Sequence, residues 1–298
     1  MKPAPFEYHA PGSLAETLAV LAEHGDGAKP LAGGQSLVPM LAMRLVRPQV
    51  LVSLRRLGEL SGIRRQNGAL VIGAMTRQWQ VEESDEVAAA CPLLAEAIRL
   101  VGHPTIRNRG TIGGSVAHAD PAAELPAVLV ALGGRVRLAS TKGSRVVEAA
   151  GFFQGMMTTA TRPDELLLEV EFPAVGGSGH RRGAAFVEVS RRHGDFALAG
   201  AAVALALEAD GRVADARIAL TGVESRPRRR TEAEGALRGE RWRPERLPDA
   251  AALAGSGLEP MDDLHAPADL RAQLARVLTR RALEQAYRRA TGEGEGRR

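Results

Sequence analysis

The sequence predicts an α+β protein, in which an N-terminal part made of two α/β lobes precedes a C-terminal domain of three antiparallel strands and helices. Two double-glycine segments, AGGQS at residues 32–36 and TIGGS at residues 111–115, each lie between a short strand-like or mixed stretch and a helical pattern. The stretch AVGGSGHRRG at residues 174–183 has no periodicity and precedes a run of consecutive strand patterns. The predicted boundaries are residues 1–177 for the N-terminal domain, with lobes at 1–55 and 56–177, residues 178–290 for the C-terminal domain, and residues 291–298 for a disordered tail.

The first lobe begins with a helix. Ser13 and Glu16 form a capping-box pattern ahead of leucines at helical spacing, and the helix is predicted to end near Gly25. The other elements predicted up to residue 75 are strands at residues 29–32, 50–53 and 70–72 and a helix or turn at residues 36–45.

The second lobe combines helices with a hairpin. Pro92 opens a helix with an apolar stripe, and Gly102 and Pro104 are expected to stop it. The remaining predicted elements are a helix at residues 124–132, a hairpin of residues 135–139 and 145–148, and a strand at residues 166–172.

The C-terminal domain starts with strands and ends with helices. Asp210 and Gly211 give a strong hairpin signal between two strand patterns. The predicted strands are residues 184–190, 200–207 and 212–220. The last helix is predicted to follow Pro267 and to carry the apolar stripe Leu270, Leu274, Val277 and Leu278.

The composition is that of a globular protein of about two domains: 298 residues, 45% of them hydrophobic and 25% charged. No apolar run approaches the roughly 20 residues that span a bilayer, and the N-terminus lacks a signal-peptide core. The single cysteine, Cys91, fits a reducing cytoplasm and cannot by itself ligate an iron–sulfur cluster. The seven histidines lack metal-ligand spacing, so no metal is expected on this chain.

The net charge is only +4, and nearly all the cations are arginine. The one dense basic run is RPRRR at residues 226–230, which we interpret as a solvated or partner-facing surface. Aromatic residues make up only 3% of the chain and no nucleic-acid motif is present, so nucleic-acid binding is not expected.

The two double-glycine segments favour a long ligand that carries phosphate. Glycine lets backbone N–H groups close on an anion, and Gln35 and Ser36 in the first segment can add side-chain donors. Thr111 and Ser115 flank the second pair of glycines with hydroxyls. The alternative for each segment is a plain turn between a strand and a helix, because neither matches the dinucleotide fingerprint or the P-loop.

Asp120 and Glu124 follow the second segment at a spacing of four residues. Carboxylates at this place suit ribityl or ribose hydroxyls, or a flavin N–H, better than phosphate. The alternative is that Asp120 caps a helix starting near Pro121 and that Glu124 serves the helix dipole.

The two motifs AGGQSLVPML and TIGGSVAHADPAAELP together resemble the FAD-binding (medium) subunit of the molybdenum hydroxylases, the family of carbon monoxide dehydrogenase and xanthine dehydrogenase. The similarity extends over nearly the whole chain, including FEYHAPGSLAETLAVL, DELLLEVEFP, RRHGDFALAG and SRPRRRTEAEGALRG.

The resemblance implies one non-covalent FAD in a vanillyl-alcohol-oxidase-like (PCMH-type) fold. Within that picture Glu124 matches an acidic cofactor contact, Leu167 or Leu168 packs near the flavin or adenine, and Phe196 lies over the isoalloxazine. No residue of this chain is expected to be catalytic. The cofactor-binding residues expected are Ala32, Gly33, Gly34, Gln35, Ser36, Leu37, Thr111, Ile112, Gly113, Gly114, Ser115, His118, Asp120, Glu124, Leu167, Leu168 and Phe196.

The resemblance also implies partners: a large subunit with the molybdenum cofactor and a small subunit with [2Fe-2S] clusters, assembled as a dimer of heterotrimers. This chain would pass electrons from those clusters to an external acceptor. Val187 and Glu188 stand where relatives often carry a lysine, so flavin potential and acceptor are not inferred. The alternatives are a self-sufficient vanillyl-alcohol-oxidase-type flavin oxidase and an anion- or nucleic-acid-binding scaffold without redox chemistry; the substrate is left open.

Overall fold

The computed structural model describes residues 2–174 and 179–293, and part of the predicted linker and of the predicted tail lies outside these ranges. The helices are α1 (Leu14–His24), α2 (Leu37–Ala42), α3 (Gln78–Glu82), α4 (Asp85–Ala90), α5 (Pro92–Ala97), α6 (Pro104–Arg107), α7 (Ile112–His118), α8 (Glu124–Leu132), α9 (Ala149–Phe152), α10 (Thr231–Leu237), α11 (Leu247–Ala254) and α12 (Ala268–Thr291). The strands are β1 (Glu7–His9), β2 (Ala28–Leu31), β3 (Val50–Ser53), β4 (Ile63–Gln66), β5 (Ala69–Gly73), β6 (Arg135–Ser140), β7 (Gly143–Glu148), β8 (Phe153–Gly155), β9 (Thr158–Thr159), β10 (Leu166–Pro173), β11 (Arg181–Ser190), β12 (Ala197–Leu207), β13 (Val213–Thr221) and β14 (Arg228–Arg229).

The first lobe is a three-stranded parallel sheet in the order β1-β3-β2 with α1 packed against it. The predicted N-terminus of α1 is confirmed, because Ser13 Oγ accepts from the amide of Glu16 at 3.2 Å. The reciprocal bond of the capping box is displaced by one residue, since the Glu16 carboxylate accepts from the amide of Gly12 at 2.8 Å.

The second lobe is a five-stranded antiparallel sheet in the order β4-β5-β10-β6-β7. The predicted hairpin and the predicted strand that ends at Phe172 are confirmed as β6, β7 and β10. All the residues of α8 from Glu124 to Ala131 are buried, which explains why its sequence is apolar on every side. The helix opened by Pro92 ends at Ala97, and Pro104 begins α6 instead of ending α5.

The C-terminal sheet has four strands, in the order β11-β12-β13-β14. The three strands predicted from sequence are confirmed, but the expectation of a three-stranded sheet is wrong, because Arg228 and Arg229 pair with β13 as a short fourth strand. One face of this sheet packs on α5 and α8 of the N-terminal domain, and the other face packs on α12. Residues 181–183, expected in the linker, already belong to β11.

The run RPRRR is not the solvated surface that its charge predicted. Arg229 forms a two-point ion pair with the fully buried carboxylate of Glu234, and Arg228 pairs with Glu224 at 3.2 Å. Arg230 is itself 8% exposed and donates to the main-chain carbonyl of Ser256. Buried carboxylates therefore neutralise Arg228, Arg229 and Arg230 within the C-terminal domain, while Arg226 donates to the main-chain carbonyl of Phe153 in the N-terminal domain.

The buried face of the last helix is built on small residues more than on the predicted leucine stripe. Leu278 is buried as expected, but Leu270 is 37% exposed. The other buried residues of the helix are Arg271, Ala275, Thr279, Ala282, Leu283, Ala286 and Ala290, four of which are alanines. Alanine allows the helix to approach the sheet closely, so that a Cβ at Gly183 in β11 would overlap the main chain of α12. No helix in the described part of the chain is both long and apolar enough to cross a membrane.

Candidate functional site

The first double-glycine segment forms a loop between β2 and α2 that keeps its backbone donors free. In the described ranges, none of the amides of Gly33, Gly34, Gln35 and Ser36 donates a hydrogen bond within the chain. The side chain of Gln35 folds back, with Nε2 donating to the carbonyl of Gly33 at 3.1 Å. Four neighbouring N–H groups without partners are the arrangement that binds an anionic oxygen cluster.

Close main-chain packing explains both glycines of this loop. A Cβ at Gly33 would overlap the carbonyl of Arg109, and Gly34 has φ +75°, which a side chain would strain. The loop therefore lies directly against the segment that precedes the second double-glycine motif, so that the two motifs are close together in the fold.

An open cleft of about 300 Å³ lies over the loop and is lined by Gly33, Gly34, Gln35, Val38, Pro39 and Arg109. Its lining combines the two glycines, the apolar residues Val38 and Pro39 of α2, and the exposed residue Arg109. A cleft of this kind can accept an anion against the free amides and the cation.

The second double-glycine segment is the first turn of α7 and not a loop, which corrects the sequence interpretation. Thr111 is the N-cap, and its Oγ1 accepts from the amide of Gly114 at 3.0 Å. The amides of Ile112 and Gly113 donate to the carbonyls of Thr76 and Ala74, at 3.1 and 2.9 Å. These donors are already used, so the turn is a scaffold more than a phosphate nest.

Buried packing accounts for the glycines of α7. A Cβ at Gly113 would overlap Ala74, and one at Gly114 would lie 2.7 Å from Thr111 Oγ1 and 3.5 Å from the Cβ of Ala32. The half-buried Ser115 makes no hydrogen bond through its hydroxyl in the described structure and is the residue of this turn left free to donate.

The two leucines predicted to lie near the cofactor sit behind this turn. The pairing of β10 shifts register between Leu167 and Glu169, and the carbonyl of Leu168 accepts from the amide of Ala74 at 2.8 Å. Leu167 is buried and Leu168 is half-buried. Because Ala74 also contacts Gly113, the strand supports α7 directly.

Asp120 does not cap α8, which corrects one of the two interpretations of that residue. Its Oδ1 accepts from the amide of Ala122 at 2.9 Å, closing a local turn, while α8 begins at Glu124 after Ala123. His118 is half-buried at the end of α7, and burial is the main cause that lowers its pKa. The charge of Asp120 raises this pKa, and the charge of Lys29 lowers it. The Asp120 carboxylate retains free lone pairs for a ligand hydroxyl.

Glu124 and Glu188 form an acidic pair where the two domains meet, with Glu124 buried and Glu188 half-buried. Glu124 is 4% exposed, and burial, together with the charges of Glu188 and Asp120, raises its pKa to about 8. Burial also raises the pKa of Glu188 to about 7, and its Oε2 has no hydrogen-bond partner in the described structure. Both carboxyls are therefore protonated over a range in which an exposed glutamate is ionised.

The C-terminal domain is joined to this acidic corner by hydrogen bonds. Thr221 Oγ1 lies 2.9 Å from the carbonyl of Pro121 and 2.8 Å from that of Ala123, and the amide of Gly222 donates to the carbonyl of Pro121 at 2.7 Å.

Phe196, expected over the flavin ring, is 58% exposed and directly precedes β12. Its ring contacts no other aromatic ring in the described chain.

Sequence reasoning missed Arg77, Arg109 and the interdomain role of Glu188. The signal for Arg109 was present in RNRG next to the second motif, but a sequence cannot separate it from Arg107, which is buried and paired with Glu82 at 2.6 Å.

Cys91 is buried between α4 and α5, and burial raises the pKa of its thiol to about 12, so this side chain contributes to packing and is not a nucleophile. No group of three or more potential metal ligands occurs in the described ranges.

Two family models cover the chain. The FAD-binding domain of molybdopterin dehydrogenases matches residues 4–175, and the C-terminal domain of CO dehydrogenase flavoproteins matches residues 184–286. The first match contains the loop, the cleft and α7, and the second contains the four-stranded sheet and most of α12.

Individual relatives agree with these models over nearly their full length. The chain is 42% identical to the 6-hydroxypseudooxynicotine dehydrogenase complex subunit alpha of Paenarthrobacter nicotinovorans, with 97% of both chains covered. It is 41% identical to the carbon monoxide dehydrogenase medium chain of Afipia carboxidovorans, covering 97% of this chain and 99% of that one. Among solved structures, the carbon monoxide dehydrogenase of Hydrogenophaga pseudoflava that lacks the Mo-pyranopterin moiety superposes with a TM-score of 0.93 at 41% identity, covering 97% and 99%.

Proposed function

Since this chain belongs to the FAD-binding medium subunits of the carbon monoxide dehydrogenase and xanthine dehydrogenase type of molybdenum hydroxylases, we propose that it binds one FAD non-covalently and serves electron transfer in a larger complex. The chain is an oxidoreductase subunit. Bound FAD supplies a group that accepts and releases electrons, while the protein supplies its binding, orientation and electrostatic surroundings.

The free amides of Gly33 to Ser36 beside the cleft are the observation that carries this proposal. They fit the diphosphate of a dinucleotide, since they offer a concentrated set of donors without Cβ atoms in front of them. The hydroxyl of Ser115, the carboxylate of Asp120 and the carboxyl group of Glu124 would hold the sugar-like and ring portions of the cofactor. The remaining cofactor-binding residues expected from sequence stay predictions.

The complex would comprise a large subunit with the molybdenum cofactor and a small subunit with [2Fe-2S] clusters, in a dimer of heterotrimers. Substrate would be oxidised on the large subunit, and electrons would leave through the clusters to the FAD on this chain and then to an external acceptor. A reducing cytoplasm is the compartment that a single buried thiol fits. No particular observation favours the self-sufficient oxidase.

The experiment that tests this function is purification of the full chain followed by denaturation and identification of the released flavin. We expect about one equivalent of FAD and no FMN. Capture of the tagged chain from its native host should also recover two further subunits, one of which contains molybdenum. Release of FMN, or recovery of this polypeptide alone with substrate oxidation in metal-free preparations, would refute the proposal and favour the self-sufficient oxidase.

A further inference from the structure

Two arginines lie together beside the cleft without a counter-ion. Nη1 of Arg77 donates to the main-chain carbonyl of Arg109, and Arg77 forms an isolated β-bridge with Thr111. Over residues 2–174 and 179–293, neither guanidinium makes an ion pair with a carboxylate. The Arg109 carbonyl is therefore held between the guanidinium of Arg77 and the main chain of Gly33.

The neighbouring Arg107 shows what a structural arginine in the same segment looks like. It is 6% exposed and contacts Glu82 through two bonds of 2.6 and 3.0 Å, so its charge is neutralised inside the fold. Arg109, in contrast, is exposed and lines the cleft, and within residues 2–174 and 179–293 it forms no ion pair. Burial first, and then the charge of Arg109, lowers the pKa of Arg77, as expected for two like charges in proximity.

The cleft brings these cations to the free backbone donors. Arg109 shares the cleft with Gly33, Gly34 and Gln35, whose amides have no partner in the described structure. Two like charges placed next to unpaired N–H groups are stabilised when an anion with several ionised oxygens enters. A diphosphate has this chemistry, and guanidinium groups match its geometry better than ammonium groups do.

We propose that Arg109, with Arg77 positioned behind it, forms a two-cation site that binds the diphosphate of the cofactor and so makes the chain select a dinucleotide over an uncharged flavin. This inference rests on the proposed FAD binding. Arg77 acts as a positioning residue, because it fixes the main chain that carries Arg109 against the glycine loop.

The test uses the apo form of the full chain and measures FAD affinity by quenching of flavin fluorescence at two ionic strengths. Arg109→Gln should weaken FAD binding about tenfold at low salt, as is typical of losing a charged hydrogen-bond partner, and should flatten the salt dependence. Arg109→Lys should restore most of the affinity, since it keeps the charge. Arg281→Gln, which removes an exposed arginine of α12 far from the cleft in sequence, is the matched control and should bind as the parent does.

Thermal unfolding with inorganic pyrophosphate provides a readout independent of flavin. Pyrophosphate should raise the melting temperature of the parent chain and of Arg281→Gln but not of Arg109→Gln, while without ligand Arg109→Gln should melt no lower than the parent, because a like-charge contact is removed. FAD binding by Arg109→Gln equal to the parent's at both ionic strengths, or a loss that Arg109→Lys does not restore, would overturn the two-cation site. If the parent chain binds no FAD, the proposed function fails, whereas a pyrophosphate shift that depends on Arg109 would still support the cation site.

Discussion

The substitution Glu124→Gln should remove a pH dependence of stability that the acidic pair creates. In the unfolded chain Glu124 titrates near its ordinary pKa of 4.5, whereas in the folded protein burial and the charges of Glu188 and Asp120 raise its pKa to about 8. Between these values the folded state holds a proton that the unfolded state releases, so the free energy of unfolding falls as pH rises. The contribution of Glu124 to the free energy of unfolding is fully present below pH 4.5 and is lost as the pH rises towards about 8.

The magnitude follows from the shift. One proton of difference changes the free energy of unfolding by about 1.4 kcal/mol per pH unit, which corresponds to about 3–5 °C in melting temperature per pH unit for a domain of this size. This slope is for Glu124 alone; Glu188, whose pKa is raised to about 7, adds to the fall, and the two groups interact and titrate as a pair. Raising the pH from 5.5 to 7.5 should therefore lower the melting temperature of the parent apo-protein by several degrees.

The assay is thermal unfolding of apo-protein at half-unit steps from pH 5 to 8.5, followed by circular dichroism. Glu124→Gln keeps the size and hydrogen-bonding capacity of the side chain but cannot ionise, so its curve should be flatter and should lie above the parent's at pH 8. Glu188→Gln should flatten the curve as well, and the double variant should show less than the sum of the two effects. Glu23→Gln, at an exposed position of α1, is the control for loss of one carboxylate. A parent curve with no fall over this range, or a Glu124→Gln curve parallel to it, would refute the reasoning.

Two other predictions concern packing. Gly33→Val should abolish FAD binding with little change in melting temperature, because the added side chain displaces only the loop from Arg109. Gly113→Val should instead lower the free energy of unfolding by about 1–3 kcal/mol, since its side chain overpacks the core at Ala74. Equal melting temperatures for the two variants would contradict this distinction. Glu234→Ala should destabilise the C-terminal domain by about 3 kcal/mol, because it leaves Arg229 and the amide of Ile218 without their buried acceptor. Thermal unfolding measures this effect. A melting temperature within a degree of the parent's would contradict it and show that water replaces the carboxylate.

Local signals in the sequence were sufficient for most elements of the fold. Ser13 as a helix cap, the Asp210-Gly211 turn and the apolar strand at residues 166–172 each depend on residues close together in the chain, and the structure agrees with all three. The fourth strand of the C-terminal sheet was missed for a physical reason. Its two residues, Arg228 and Arg229, carry no strand pattern, and they pair with β13 only because Glu224 and Glu234 neutralise them after folding.

The two double-glycine motifs look alike in sequence and differ in structure. In the first, the missing side chains leave amides open beside a cleft; in the second, they let α7 pack against Ala74 while its amides bond inside the fold. Composition could not separate these roles, because the partner that occupies the second set of donors lies in the turn after β5, far away in the chain. A glycine pair therefore predicts close approach of the main chain, and whether the approaching group is a ligand or the protein itself depends on tertiary contacts.

Glu188 is a second residue whose role depends on tertiary contacts that the sequence does not reveal. Alternation along β11 predicts that Glu188 shares a face with Phe186, but only the structure shows that this face packs in the core shared with the N-terminal domain. The pattern cannot say what faces it. In the folded protein burial raises the pKa of Glu188, and the charge of Glu188 in turn helps to raise the pKa of Glu124. Among the described residues, the buried Oε2 of Glu188 has no hydrogen-bond partner. A lysine at this position would favour the ionised form of Glu124, whereas Glu188 favours the protonated form. Glu188 therefore keeps the corner next to the proposed cofactor site close to neutral at a pH where most carboxylates are charged.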